Sequence, residues 1–314
     1  MSAQHIADRA LLELGQRLIA EEYRFVTPSP LTHQTHLQRF ASPLAKDLRD
    51  MFGWSMPFDQ SLFQDGELNM LEQAGIVERD GALWRSTVRW SNLQGLLFAH
   101  SAYPTTQADS VFFGPDSYRF AQLIDAHLQQ HVEPIQRVAD IGCGAGVGAM
   151  IVARARHAAQ VLAVDINPRA LRLCAVNAEL AGLSNVTVYH SDILRSVEGP
   201  FDLIVANPPY MNDSQQRAYR HGGGALGEAL SLRIVRESLP RLNPAGSLVL
   251  YTGVAMVAGR DPFLEGVMPM LNGDSFSWTY RELDPDVFGD ELLKPGYELA
   301  ERIAVVALTV TRTY

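Results

Sequence analysis

The sequence predicts an α/β protein built on a doubly wound, largely parallel sheet, with a smaller and mostly helical unit ahead of it. Two observations carry this. From Arg137 onward, apolar strand-like runs alternate with helical stretches, the pattern of successive strand–helix–strand crossovers. Two of those runs end in loops of unusual composition. Val138-Ala139-Asp140-Ile141 passes into Gly142-Cys143-Gly144-Ala145-Gly146, and Phe201-Asp202-Leu203-Ile204-Val205-Ala206 passes into Asn207-Pro208-Pro209-Tyr210. Loops at strand ends are where open sheets of this kind bind ligands. The 314 residues, 47% hydrophobic and 19% charged, suit two globular domains, drawn at 1–104 and 105–314.

Taken in order, Ile6, Leu11, Leu12, Leu14, Leu18 and Ile19 fall at helical spacing within residues 5–23. A loop follows at Thr27-Pro28-Ser29-Pro30. Helices are expected over 37–51 and 66–75, the second closed by Gly75. Residues 76–90 read as a hairpin turning at Asp80-Gly81. Helices followed by such a hairpin resemble a winged helix. His33 and His36 have no Cys or carboxylate partner nearby, so they read as capping or surface residues, and no metal site is expected. Residues 96–118 form the junction. Strands are then expected at 137–141, 160–165, 185–190, 201–206, 246–252, 276–281 and 302–310, with a helix from about 228.

The two loops together resemble the class I S-adenosylmethionine (SAM) methyltransferases, and more narrowly the small-domain subfamily that carries Asn-Pro-Pro-Tyr. The resemblance covers residues 105–255 well and the first hundred residues poorly. It implies a seven-stranded, Rossmann-like sheet of order 3-2-1-4-5-7-6, in which strands 1 and 4 are neighbours. Gly142 and Asn207, about 65 residues apart in sequence, would then meet in space. In that family the Asn side-chain oxygen and the first Pro carbonyl accept hydrogen bonds from a planar NH2. An amide or aromatic amine is a poor nucleophile because its lone pair is delocalised, so holding it in line with the sulfonium methyl is what the site supplies. The resemblance therefore makes Asn207, Pro208 and Tyr210 the catalytic candidates, with Tyr210 stacking on the acceptor or facing the cation.

For the cofactor, Gly142, Gly144 and Gly146 are expected to let the first loop run close to a ligand. By resemblance Asp140 lies near the cofactor's amino-acid portion. Asp165, closing the second strand, accepts both ribose hydroxyls, and Asp192, after the third, accepts from the adenine amino group. Ile166 and Ile193 sandwich the adenine, and Asn207 also borders the cofactor. Asp165 and Asp192 are equally good helix N-caps, but three acids at three successive strand ends make a shared role the better reading. Phe113 and Tyr118 occupy the place of a loop that closes on cofactor and substrate in related amide methyltransferases, although the local pattern departs from theirs; packing of the domain interface is the other reading. After the Asn-Pro-Pro-Tyr loop, residues 219–227 resemble a segment shaping the substrate mouth, where Arg220 or His221 could meet a substrate carboxylate. A flexible surface loop explains its glycines equally well.

Net charge is −9, and residues 1–110 hold 9 Lys and Arg against 13 Asp and Glu, so no basic face is offered to phosphates. That argues against nucleic acid and for a protein or small-molecule substrate, with an RNA N-methyltransferase kept as an alternative. No run of 18 apolar residues spans a membrane, and Met1 to Asp8 lacks the blocks of a signal peptide. Cys143 and Cys174 read as buried free thiols of a cytoplasmic protein. The sequence leaves the oligomeric state open. Three other functions compete. Gly144-Ala145-Gly146-Val147-Gly148-Ala149 also fits a dinucleotide fingerprint, but a nicotinamide enzyme leaves Asp140 and the Asn-Pro-Pro-Tyr loop without a task. SAM can instead be attacked by its own α-amine, giving azetidine-2-carboxylate and methylthioadenosine. Cofactor binding without catalysis is the third.

Overall fold

The computed structural model describes residues 3–64, 66–213, 217 and 219–314. Its centre is a seven-stranded sheet. Strands β5 (Arg137–Ile141), β6 (Gln160–Asp165), β7 (Val186–His190) and β8 (Phe201–Ala206) coincide closely with the apolar runs of the sequence. β9 (Leu242–Val257), β10 (Phe276–Asp284) and β11 (Ala300–Arg312) extend beyond theirs. The order is β10-β11-β9-β8-β5-β6-β7, which in strand number is 3-2-1-4-5-7-6 read from the β7 edge. β5, β6, β7, β8 and β9 pair in parallel, whereas β11 runs antiparallel to both β9 and β10.

Both faces of the sheet are covered, which is why its central strands read as continuous apolar runs. On one face Val138, Val161, Ala163, Val205 and Tyr251 pack with helices α5 (Pro115–Gln130), α6 (Val147–Ala155) and α7 (Pro168–Leu180). On the other, Ala139, Leu162, Ile204 and Leu250 pack with α8 (Ala229–Ser238) and α9 (Pro262–Val267).

The N-terminal elements join the first of these cores. They are helices α1 (Ala3–Ala20), α2 (Pro30–Leu37), α3 (Leu48–Phe52) and α4 (Glu67–Gln73), and hairpins β1 (Val77–Asp80)–β2 (Leu83–Ser86) and β3 (Val88–Leu93)–β4 (Leu96–Ser101). Leu11, Leu14 and Leu18 of α1 are buried, whereas Ile6 and Ile19 at the margins of the helical stripe remain exposed. Two findings depart from the sequence reading. The helix expected over 37–51 is absent: α2 stops at Leu37, and turns precede the five-residue α3. Pro43 lacks an N–H and disfavours helix just before it, while Asp47 caps α3 by accepting from Asp50 N at 2.8 Å. The second hairpin was also not foreseen. β3 and β4 are buried along nearly their whole length, so no polar alternation marks them. A two-residue turn, Gln94-Gly95, with positive φ at both positions joins them.

Of the two histidines, His33 departs from the capping or surface role expected, whereas His36 is half-buried in the last turn of α2. His33 is fully buried with its ring 4.0 Å from that of Tyr103, and His36 stacks on Trp54 at 3.8 Å. Cys143 and Cys174 are buried free thiols. Among the described residues no helix is long and apolar enough to cross a membrane, and no group of three His, Cys, Asp or Glu could hold a metal.

One buried side chain ties the two halves together. Asn177 of α7 accepts from Ala99 N on β4 at 2.8 Å and donates to Ala99 O at 3.0 Å and to Ala145 O in the glycine loop at 2.9 Å. Asn177→Ala leaves a buried N–H and two carbonyls without these partners, at a cost of about 2–4 kcal/mol. The expected result is a thermal midpoint several degrees lower, seen by calorimetry. An unchanged midpoint would show that these three hydrogen bonds do not hold the halves together.

Candidate functional site

The cleft opens at the carboxyl ends of β5 and β8, where the strand order reverses. Val138 to Ile141 pair in register with Leu203 to Ala206, so the glycine loop and Asn207 leave the sheet side by side. Asp140, Gly142, Gly144, Asp165, Ile166, Asp192, Ile193, Asn207, Pro208 and Tyr210 all line this one cleft.

The acids are held in different ways. Asp140 is 1% exposed and accepts from Ala149 N at 2.7 Å; burial pushes its carboxyl up to about 7. A Cβ on Gly148 would stand 2.8 Å from its Oδ1, so the glycine makes room for this carboxylate. Asp165 accepts from Gly144 N at 3.0 Å and Asn167 N at 2.8 Å, one on each oxygen, and burial raises it as well. Each oxygen keeps a lone pair for a further donor. Asp192 is more exposed. Arg233 at 2.7 Å and Arg195 at 2.9 Å both contact its Oδ2, and the hydrogen bond from Arg233 holds the carboxyl below its usual range.

Three expected residues stand outside the cleft wall. Gly146 caps α6 at φ +89°, and a Cβ there would come 2.6 Å from Cys174 Sγ, so this glycine serves packing against α7. Gly142 and Gly144 do line the cleft, yet a Cβ on either meets no protein atom within 4 Å. Their φ values of +67° and +54° are the constraint that the protein itself imposes. Phe113 and Tyr118 are the other two. Phe113 is buried, stacked on His100 with centroids 4.8 Å apart and edge-on to Tyr118 at 5.5 Å. The Tyr118 hydroxyl accepts from Thr27 N at 3.0 Å. Both therefore pack the interface with the N-terminal elements, and the neighbouring Phe112 lines the cleft in their place. Their positions match the other reading of this segment, packing of the domain interface, while Phe112 beside them faces the cleft.

Tyr210 is buried at the end of the loop. Its ring lies on Gly253 of β9, where a Cβ would be 2.2 Å from Cδ2. Its hydroxyl donates to Asp116 Oδ2 at 2.5 Å, and Tyr251 donates to Asp116 Oδ1 at 2.8 Å. Asp116, 3% exposed and in the first turn of α5, lines the cleft and is a site residue that sequence reasoning missed. An acid beside Pro115 at a helix start is so common that it gave no signal.

The glycine-bearing segment after Tyr219 makes several contacts with the Asn-Pro-Pro-Tyr loop and the junction. Met211 N donates to Arg220 O at 3.0 Å and Gly222 N to Met211 O at 2.9 Å. A Cβ on Gly227 would sit 2.0 Å from Tyr210 O. Tyr219 donates to Thr105 O at 2.7 Å, drawing the segment to the junction, and Pro30 and Thr105 complete the wall there. Arg220 pairs with Glu291, and Asp213 N donates to His221 Nδ1 at 3.3 Å, so both side chains already have partners within the protein.

This strand order, with a cleft of acids and a glycine loop at its switch point, is the class I SAM-dependent methyltransferase fold. Residues 119–258 match the methyltransferase small domain family. The release factor glutamine methyltransferase of Deinococcus radiodurans is 32% identical over 156 residues, 46% of this chain and 55% of that protein. The ribosomal protein uL3 glutamine methyltransferase of Neisseria gonorrhoeae is 32% identical over 160 residues, 48% of this chain and 51% of the relative. The chain thus spans about half the length of the curated relatives it matches. Among solved structures, Trm5b from Pyrococcus abyssi superposes with a TM-score of 0.50 at 17% identity, over 76% of this chain and 62% of that one, a likeness of fold.

The raised Asp140 carboxyl has a consequence for stability. Its folded value, about 7, exceeds the ordinary 3.8, so the unfolded chain loses this proton first. The native state is favoured below about pH 4 and loses that contribution as pH rises toward 7. Asp116 and Asp165, also raised by burial, act in the same direction. Asp140→Asn keeps an acceptor for Ala149 N and removes the ionisation. The stability of ligand-free D140N should therefore fall less than wild type between about pH 4 and pH 8 in thermal melts. Parallel pH profiles for the two proteins would rule this out.

Proposed function

We propose that the protein is a SAM-dependent N-methyltransferase acting on a planar amide or amino nitrogen of a protein or small-molecule acceptor, with a glutamine side chain as the foremost case. The observation that carries this is the placement of Asn207-Pro208-Pro209-Tyr210 at the end of β8, beside the glycine loop of β5 and in the same cleft. The two curated relatives described above are named for glutamine methylation, which favours methyl transfer over cyclisation and protein over RNA.

The residues present fit the cofactor. The cleft is rich in carboxylates, and its glycine loop leaves open space where side chains would stand. Asp165 would hold the ribose, Asp192 and Ile193 the adenine with Ile166 on its other face, and Asp140 the amino-acid end. When bound, SAM supplies an electrophilic methyl on a sulfonium sulfur. The Asn207 side-chain oxygen and the Pro208 carbonyl accept the two N–H bonds of the acceptor, which fixes its plane and directs the nitrogen at the methyl. Two prolines hold the loop before the acceptor arrives. Tyr210, anchored by Asp116, sets the far end of the loop and walls the acceptor pocket, with Phe112 and Phe288 beside it. Residues 1–104 take the role of a substrate or lid domain, with Pro30 as their contribution to the cleft wall.

The test is product analysis with methyl-labelled SAM and a glutamine-containing peptide. S-adenosylhomocysteine with label in the peptide supports the reading. Methylthioadenosine would replace it with cyclisation, and binding without turnover on this peptide or on extracted protein would reduce the molecule to a binding protein. Asn207→Ala should lower single-turnover methyl transfer by about two to three decades, roughly 3–4 kcal/mol, with cofactor affinity within a few-fold. Asp165→Ala should instead weaken cofactor binding by about 2–3 kcal/mol. Unaltered transfer by N207A would place the acceptor elsewhere.

A further inference from the structure

Asp116 stands apart from the other acids of the cleft. Asp140, Asp165 and Asp192 sit at the ends of β5, β6 and β7, whereas Asp116 comes from α5 and lies on the side of Asn207 and Tyr210. Two phenolic hydroxyls donate to it, one to each oxygen, and these bonds together with Arg119 favour the ionised carboxylate against the rise that its burial imposes. Burial raises the Tyr210 and Tyr251 hydroxyls, so both remain neutral donors. The cation nearby is Arg119, whose Nη1 is 3.4 Å from Asp116 Oδ1 while its Nη2 is 2.8 Å from Asp284. One guanidinium shared between two carboxylates leaves a net negative charge, and the member nearer the cleft is Asp116.

We propose that Asp116 is the fixed anion of the transfer end of the cleft and makes the protein prefer the sulfonium cofactor over its neutral thioether product. The inference rests on the methyltransferase reading. SAM and S-adenosylhomocysteine share adenine, ribose, and the α-amino and carboxyl groups; they differ by one methyl and one positive charge. Contacts from Asp140, Asp165 and Asp192 therefore cancel in the ratio of the two affinities, and an anion at the methyl end does not. In a buried setting the attraction between opposite charges within one cleft is large enough to govern that ratio. Loss of the charge on transfer then weakens the hold on the product. Asp116 thus acts as a specificity-determining residue, in addition to anchoring Tyr210.

The experiment is calorimetric titration of the full-length protein with SAM and, separately, with S-adenosylhomocysteine. Asp116→Asn keeps the size of the side chain and removes the charge. It should lower the SAM-to-product affinity ratio about tenfold, with product affinity little changed. An unchanged ratio, or equal weakening of both ligands, would overturn the proposal. Arg119→Gln acts on the same charge from the other side and serves if D116N does not fold. It should raise the ratio, and an unchanged or lowered ratio would count against Asp116. Binding of neither ligand by the wild type is a different failure, since it removes the methyltransferase reading itself.

Discussion

The site depends on one pairing, the parallel hydrogen bonding of β8 directly against β5. Neighbouring strands lie about 4.8 Å apart. Ile141 is in register with Ala206, so the residues that follow them, Gly142 and Asn207, emerge at the same level from adjacent strands. A loop that can cradle a cofactor and a loop that can orient an acceptor thereby share one cleft. β6 and β7 continue the sheet on one side and bring Asp165 and Asp192 to the same edge. On the other side, β9 supplies the glycine floor under Tyr210 and the second tyrosine for Asp116.

The acceptor side is held by close contact more than by regular structure. Gly253 lets the Tyr210 ring lie flat on β9, and Gly227 lets the following segment press on the Tyr210 carbonyl. The Asn-Pro-Pro-Tyr loop is thus clamped from below and from the side, with its terminal hydroxyl fixed to α5. A loop fixed at this many points does not need to be ordered by substrate, so less binding energy is spent on organising it.

The sheet was legible because its physics is local. Strands buried on both faces must be apolar throughout, and β5, β6 and β8 begin and end where their apolar runs do. The acids and the Asn-Pro-Pro-Tyr loop were legible because strand ends are marked by abrupt changes of residue type. What the sequence concealed was contact between distant segments. Phe112 and Phe113 are equivalent in composition, and only the packing of Phe113 on His100 separates them. Asp116 looks like any first-turn acid until Tyr210 and Tyr251, more than ninety residues away, converge on it. The helix expected at 37–51 is absent for a simpler reason: Pro43 interrupts that stretch.

The shared core has a consequence for how the chain is made. Leu11, Leu14 and Leu18 of α1 belong to the same buried cluster as Val249 and Val305, so apolar residues near the start are covered together with residues near the end. During vectorial synthesis the amino-terminal third emerges first, and α7 and the sheet that α1 and β4 pack against are translated only later. Until then these elements have only one another to pack on, and the faces of α1 and β4 that meet α7 stay open to the solvent. The nascent chain therefore passes through an interval in which premature association competes with folding. The length of that interval is set by the distance in sequence between β4 and the strands that finally enclose it.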